Sequence, residues 1–166
     1  MNPGIISLLM VAFLLSGCST SSYSAKKDKA AAEFEHTAAL IESGSYMFTI
    51  RSASPSGGKT IQITSQYALK ALEGTYEAYL PYFGRAYSAG YGDSGGIEFK
   101  GEAENLEISR NDKKLNISVS FSIRAEKDTY TVNLKVGSSG YGQMTVSSQK
   151  RQAITYSGKA GELKDQ

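Results

Sequence analysis

Two periodicities divide the chain. Between residues 30 and 43 apolar side chains recur every three or four positions, at Ala31, Phe34, Ala38 and Ile41, which is the spacing of one helix face. Gly44 stands where that helix would stop, because glycine adopts the left-handed cap conformation without steric cost. From residue 45 the period falls to two. Tyr46, Phe48 and Ile50 alternate with Met47, Thr49 and Arg51, and Ile61 and Ile63 alternate with Gln62 and Thr64. The longest run sets Leu115, Ile117, Val119, Phe121 and Ile123 against Asn116, Ser118, Ser120, Ser122 and Arg124. Tyr130, Val132, Leu134 and Val136 follow, then Met144, Val146 and Ser148, then Ile154 and Tyr156.

Strict alternation places one strand face in a core and the other in water, which predicts antiparallel pairing. Turn residues fall between the runs at Ser56-Gly57-Gly58, Arg110-Asn111-Asp112, Glu126-Lys127-Asp128, Gly137 to Gly142 and Lys150-Arg151-Gln152. The expected fold is therefore all-β: an antiparallel meander of about eight strands closing into a small barrel, preceded by one helix. A barrel is preferred to a sandwich because closure removes exposed edges.

The N-terminus follows another pattern. Ile5 to Leu15 is apolar except for Ser7, and at about 1.5 Å per residue such a helix falls short of a roughly 30 Å hydrocarbon core. Its length suits the apolar region of a secretion signal. The run ends in Leu15-Ser16-Gly17-Cys18, which resembles the bacterial lipobox. That resemblance implies cleavage between Gly17 and Cys18, diacylglycerol on the Cys18 thiol and an acyl chain on its new amine. Two or three acyl chains make a durable anchor. Ser19 stands where Asp would resemble an inner-membrane retention signal, so an outer-membrane location in the cell envelope is expected, with the face of the membrane left open. The chain then divides into a signal at 1–17, the lipidated Cys18 with a flexible Ser/Lys-rich tether at 18–29, a helix at 30–44, a barrel at 45–160 and a tail at 161–166.

Composition narrows the chemistry. A net charge of +2 gives no electrostatic footprint for nucleic acid. One Cys and one His exclude an intrachain disulfide and a Cys/His zinc site, and no cofactor or metal is expected. His36 reads as a surface residue of the helix. Tyrosine is the outlier, with eleven copies against six Phe and no Trp.

Five of the tyrosines (76, 79, 82, 87 and 91) fall within residues 74–96, among glycines. Tyr with Gly and Ser is the composition of binding loops, since the ring offers rigid area and a polar tip. Tyr79, Tyr82, Phe83, Tyr87 and Tyr91 are thus the candidate ligand contacts. The competing reading has Tyr79, Tyr82 and Phe83 plugging one end of the barrel, with Tyr87 and Tyr91 on a loop.

Leu80-Pro81-Tyr82-Phe83-Gly84, then Gly95-Gly96-Ile97-Glu98-Phe99, then a meander ending near Tyr156-Ser157-Gly158 resemble a family of Gram-negative lipoproteins, domain-of-unknown-function family 4251. The resemblance runs from about Ile41 to Ala160 and implies a lipocalin-like β-barrel with a preceding helix. It implies no activity and supplies no catalytic residues.

Other motifs fail on context. Ala53 to Thr60 fits a permissive phosphate-loop pattern, but the residues after it alternate as a strand rather than opening a helix. Ser147-Ser148-Gln149-Lys150 spells Ser-x-x-Lys at a strand end, where the helical geometry that chemistry needs is absent. Asp93, Glu98, Glu102, Glu104 and Glu107 read as a solvated acidic face. No catalytic constellation is found. The expectation is a non-enzymatic binding module, held on the membrane by its lipid and taking a small-molecule, glycan or protein ligand. A structural or assembly protein of the envelope is the alternative, and a hydrolase ranks third.

Overall fold

The computed structural model describes residues 21–85, 87, 95–126 and 128–163. One helix, α1 (Ser21–Glu42), precedes ten strands. These are β1 (Ser45–Pro55), β2 (Ile61–Gln62), β3 (Ala68–Leu72), β4 (Thr75–Pro81), β5 (Gly96–Glu102), β6 (Glu104–Asn111), β7 (Asn116–Arg124), β8 (Thr129–Gly137), β9 (Tyr141–Ser148) and β10 (Ile154–Gly161). All pairings are antiparallel, in the order β5-β4-β3-β1-β10-β9-β8-β7-β6, with β2 a short addition to β1. The result is a nearly closed barrel of nine strands, in keeping with the about eight that the alternation predicts.

Closure is achieved by one bent strand. β5 pairs along β4, from Pro81↔Gly96 to Thr75↔Glu102. After Ala103 the chain continues as β6, which pairs along β7 from Glu104↔Ser122 to Asn111↔Asn116. Ala103 still donates its amide to Gly74 O (3.0 Å) on the β4 side. A bulge with Asn105 in the left-handed region (φ 55°) turns the strand onto its second partner. Aromatic side chains pack across the same seam. Tyr76 of β4 stacks on Phe121 of β7 with centroids 4.0 Å apart, and Phe99 of β5 meets Tyr130 of β8 at 5.7 Å.

The alternating residues fill the interior as their period requires. Tyr46, Phe48, Leu69, Leu80, Ile97, Ile117, Leu134, Met144 and Tyr156 are all buried, and two clefts, of about 570 and 840 Å³, lie outside this core. Glycine sets the bend of the wall at one place. Gly142 and Gly158 face each other across β9 and β10, and a Cβ at either would lie 2.3 or 2.2 Å from a neighbouring carbonyl oxygen.

The helix closes one end. Phe34, Ala38 and Ile41 are buried, and Thr37 Oγ1 donates to Ser138 O (2.8 Å) in the β8–β9 turn. Arg110 at the end of β6 lies over the Phe34 ring at 5.1 Å and pairs with Glu35 and Asp112. Gly44 ends the helix at φ 70°, as its position predicts, and its carbonyl accepts from Glu73 N (3.1 Å). The helix begins at Ser21, inside the segment expected to be a flexible tether. Ala25, Lys26, Lys27 and Lys29 to Ala32 are good helix formers continuing a docked helix, and Lys29 approaches Glu33 at 3.9 Å one turn on.

The buried tyrosines give the core a polar content. Burial pushes the Tyr46 hydroxyl well above its ordinary value near 10, and the facing Tyr76 hydroxyl pushes it the same way. Burial likewise raises Tyr76, against a smaller opposing effect of Tyr46, and raises Tyr156. Tyr156 donates to Pro81 O at 2.8 Å, whereas the Tyr46 hydroxyl finds no partner of hydrogen-bond geometry among the described residues.

Phe121→Ala is expected to lower unfolding free energy by about 3–5 kcal/mol in urea titration, since it opens a cavity under the Tyr76 ring. Tyr46→Phe removes only an unpartnered hydroxyl and should change stability by less than about 1 kcal/mol; a loss above twice that would show a bond the geometry does not. Alkali should act through the same group of residues. Their folded values are raised, so the stability they contribute is complete below about pH 10 and falls as pH rises further, because only the unfolded chain releases those protons. Tyrosinate absorbance from Tyr46, Tyr76 and Tyr156 is expected to appear together with loss of the sheet signal, not before it.

Candidate functional site

The end of the barrel opposite α1 is covered by the chain that leaves β4, and the sequence from Leu80 to Gly84 dictates how. Leu80 is the last inward residue of the strand. Pro81 closes the β4–β5 ladder opposite Gly96, and its carbonyl takes the Tyr156 hydroxyl. Tyr82 then folds back. Its hydroxyl lies 2.8 Å from Arg85 O and 2.9 Å from Gln152 O, so one proton is shared between a loop carbonyl and the β9–β10 turn. Gly84 permits this, because a Cβ there would sit 2.5 Å from the Tyr82 oxygen.

Backbone bonds continue the attachment, with Gln152 N donating to Arg85 O (3.1 Å) and Tyr87 N to Lys150 O (2.8 Å). Arg151 is buried between the two segments. One guanidinium nitrogen donates to Gly96 O (2.7 Å) while the group lies 5.1 Å from the Tyr82 ring centroid. Burial raises the Tyr82 hydroxyl above its ordinary value, and the neighbouring Arg151 charge opposes that rise. Burying a guanidinium is favourable only with donors satisfied, and here it ties β5 to the β9–β10 turn.

The candidate contacts are therefore distributed differently from one another. Tyr82 is a structural plug at the barrel end. Tyr79 faces outward from β4, 53% exposed, with its ring 5.8 Å from that of Tyr67 and lying over Gly96, where the missing side chain leaves room. Phe83 is 44% and Tyr87 70% exposed on the attached loop. Tyr91, Gly17 and Cys18 lie outside the described residues. Among the described residues, Tyr79, Phe83 and Tyr87 form an exposed aromatic surface around this end of the barrel.

A cleft of about 570 Å³ opens on the same end, between the β7–β8 and β9–β10 turns, lined by Arg124, Asp128, Thr131, Ser147 and Lys150 among others. Asp128 Oδ1 accepts from Thr129 N (2.9 Å), and its buried Oδ2 has no hydrogen-bond partner among the described residues. The Ser-x-x-Lys string borders this cleft, but Ser148 Oγ accepts the amides of Lys150 (3.3 Å) and Arg151 (3.1 Å), a turn-forming role. The phosphate-loop string is a turn between β1 and β2, with Gly58 N on Pro55 O (3.0 Å). Glu98, Glu102, Glu104 and Glu107 are exposed on β5 and β6, and Asp93 lies outside the described residues. His36 is exposed on α1. Sequence reasoning missed Arg151 and Asp128, since both lie in polar turn segments whose burial becomes visible only when the loop from β4 is laid across them.

Comparison with known proteins places these features. A family model described as a domain of unknown function, DUF4251, matches residues 28–160. The crystal structure of a DUF4251 family protein from Bacteroides eggerthii DSM 20697 superposes with a TM-score of 0.64 at 17% identity, covering 82% of this chain and 91% of that one. At that identity the likeness concerns the fold. No curated protein matches the chain.

Tyr82→Phe should leave the barrel folded at a cost of about 1 kcal/mol, the usual worth of one hydrogen bond. Faster hydrogen exchange at the Tyr87 and Gln152 amides, with unchanged exchange in β7 and β8, is the expected signature of a loosened cover.

Proposed function

The chain belongs to the DUF4251 family, and from that premise we propose that it is a lipid-anchored, non-enzymatic binding module of the cell envelope, working through the outer surface of its loop-covered end. The observation that carries this reading is the contrast between a barrel interior filled by side chains and the exposed Tyr79, Phe83 and Tyr87 around a loop fastened to the β9–β10 turn. An exposed aromatic costs little conformational entropy to immobilise on binding, which favours its use in recognition. The adjoining cleft supplies a buried carboxylate oxygen in need of a donor. The ligand class is a small molecule, a glycan or a protein. Anchoring rests on Leu15-Ser16-Gly17-Cys18, and α1 then spaces the barrel from the bilayer.

A second reading, an envelope assembly protein acting through protein contacts, draws on β6. All eight of its residues are exposed, Leu106 and Ile108 among them, and β7 is its only ladder partner among the described residues.

The test uses the mature chain with Cys18→Ser, screened by thermal shift against peptidoglycan fragments, outer-membrane glycans and phospholipids. The expected result is a raised melting temperature with one class, lost in Phe83→Ala and Tyr87→Ala, whose own stability should stay within about 0.5 kcal/mol of the parent. If no class shifts the transition, the binding reading falls, and photo-crosslinking from Ser109 in intact cells then decides for or against the second. In cells, Cys18→Ser is expected to abolish acylation; an acylated variant would remove the anchor from the proposal.

A further inference from the structure

A separate groove of about 840 Å³ runs between the flank of α1 and the outer wall formed by β1, β10 and β9. Its lining includes the apolar Leu40 and Met47 and the hydroxyl-bearing Thr49, Ser138 and Ser139. Three side chains of the wall form a cluster. Arg51 lies 5.5 Å and Lys159 5.2 Å from the centroid of the Tyr141 ring, which is 50% exposed. Neither cation has a carboxylate partner among the described residues. Acidic groups also border the groove: Glu33 on α1, which approaches Lys29, and Glu162 near the C-terminal end. Positive charge is thus concentrated on the β1–β9–β10 wall.

The backbone is built to present this cluster. Ile50 pairs with Gly158 and Ser52 with Ser157, so Arg51 is the extra residue of a bulge in β1. Its carbonyl accepts from Ile63 N at 2.8 Å, which holds the bulged backbone against the segment that follows β2. Arg51 continues the outward face of Met47 and Thr49 and lies beside Tyr141, which is two strands away across Lys159.

We propose that the groove binds an acidic saccharide, with the carboxylate or sulfate of one sugar held by Arg51 and Lys159 and the ring of that sugar against Tyr141. Two observations select this chemistry. The volume falls within the roughly 300–1,000 Å³ of small-molecule sites and exceeds the needs of a bare inorganic anion. The lining combines apolar side chains with hydroxyl-bearing ones, which suits a pyranose, whose ring has an apolar C–H face and polar edges. Guanidinium and ammonium groups with no protein carboxylate keep their donors for an anion. The site lies on the wall and helix flank, away from the loop-covered end, so it stands or falls independently of the function proposed above.

The test measures binding of oligogalacturonate, a hyaluronan tetrasaccharide and a heparin tetrasaccharide to the mature chain by calorimetry, beside neutral maltotriose and inorganic sulfate. At least one acidic saccharide is expected to bind with a Kd below about a millimolar, and Arg51→Gln and Lys159→Gln should each weaken it about tenfold. Tyr141→Ala should weaken it as well, which distinguishes ring recognition from attraction to charge alone. Lys59→Gln, which removes an exposed positive charge in the β1–β2 turn outside the groove, should leave it unchanged. All these positions are exposed, and circular dichroism of each variant confirms its fold. The proposal is overturned if no acidic saccharide binds, if maltotriose or sulfate binds as tightly, or if the Arg51 and Lys159 variants keep the parent affinity.

Discussion

Each edge of a β-sheet carries unpaired amides and carbonyls, and a sheet that curls without joining its edges leaves both to water or to another chain. In this barrel the two edges belong to the same strand. β5 satisfies the edge of β4, and six residues of its continuation, from Glu104 to Asn111, are in register with β7. The backbone cannot satisfy both sides at the bend, so the closure there passes to side chains: Tyr76 on Phe121, and Phe99 against Tyr130. Much else follows from that seam. The rings that seal it are buried, and they join further core tyrosines whose hydroxyls are carried into an apolar space. Those hydroxyls must then be partnered, as Tyr156 is by Pro81, or carried unpartnered, as in Tyr46.

A barrel sealed from within by aromatics has little room for a ligand inside, and its two ends are closed by different means. At one, α1 docks through apolar contacts worth roughly 1.5–3 kcal/mol for each large side chain such as Phe34 or Ile41. At the other, an irregular loop is held by hydrogen bonds and by the buried Arg151, whose donors specify one position of the loop. The polar end depends on individual atoms: the Tyr82 hydroxyl, the missing Cβ of Gly84 and the Arg85 and Gln152 backbones.

The sequence shows the strands with one wet face and hides the others, for reasons visible in the residues. β7 through β10 alternate cleanly, and their inward members are buried as the period requires. β3 reads Ala68-Leu69-Lys70-Ala71-Leu72, built from helix-favouring residues, and only its place between β1 and β4 makes it a strand. β4 does alternate, with Tyr76, Ala78 and Leu80 inward, but its tyrosines resemble loop composition. The turn before it has Glu73 and Gly74 both at positive φ, a tight hairpin carried by an uncommon Glu-Gly pair. β6 has no buried face, so no period could betray it. Among the candidate contacts, the sequence could not separate Tyr82, which faces the turn, from Tyr79, which faces water.

The same distinction governs where recognition can reside. Side chains that fix the barrel are surrounded on every side, and altering them alters the fold before it alters any contact. Residues available for binding are those the core does not claim: the outward face of β4, the loop beyond Tyr82 and the bulged wall at Arg51. Arg51 illustrates the point. Without the bulge, Ala53 would fall on the outward face and the inward pairing with Tyr156 would be lost; with it, the strand keeps its core register and still delivers a cation to the wall. An irregularity that preserves the core register on both sides is a local feature of the backbone, and the side chain it displays is free to be selected for what it touches outside.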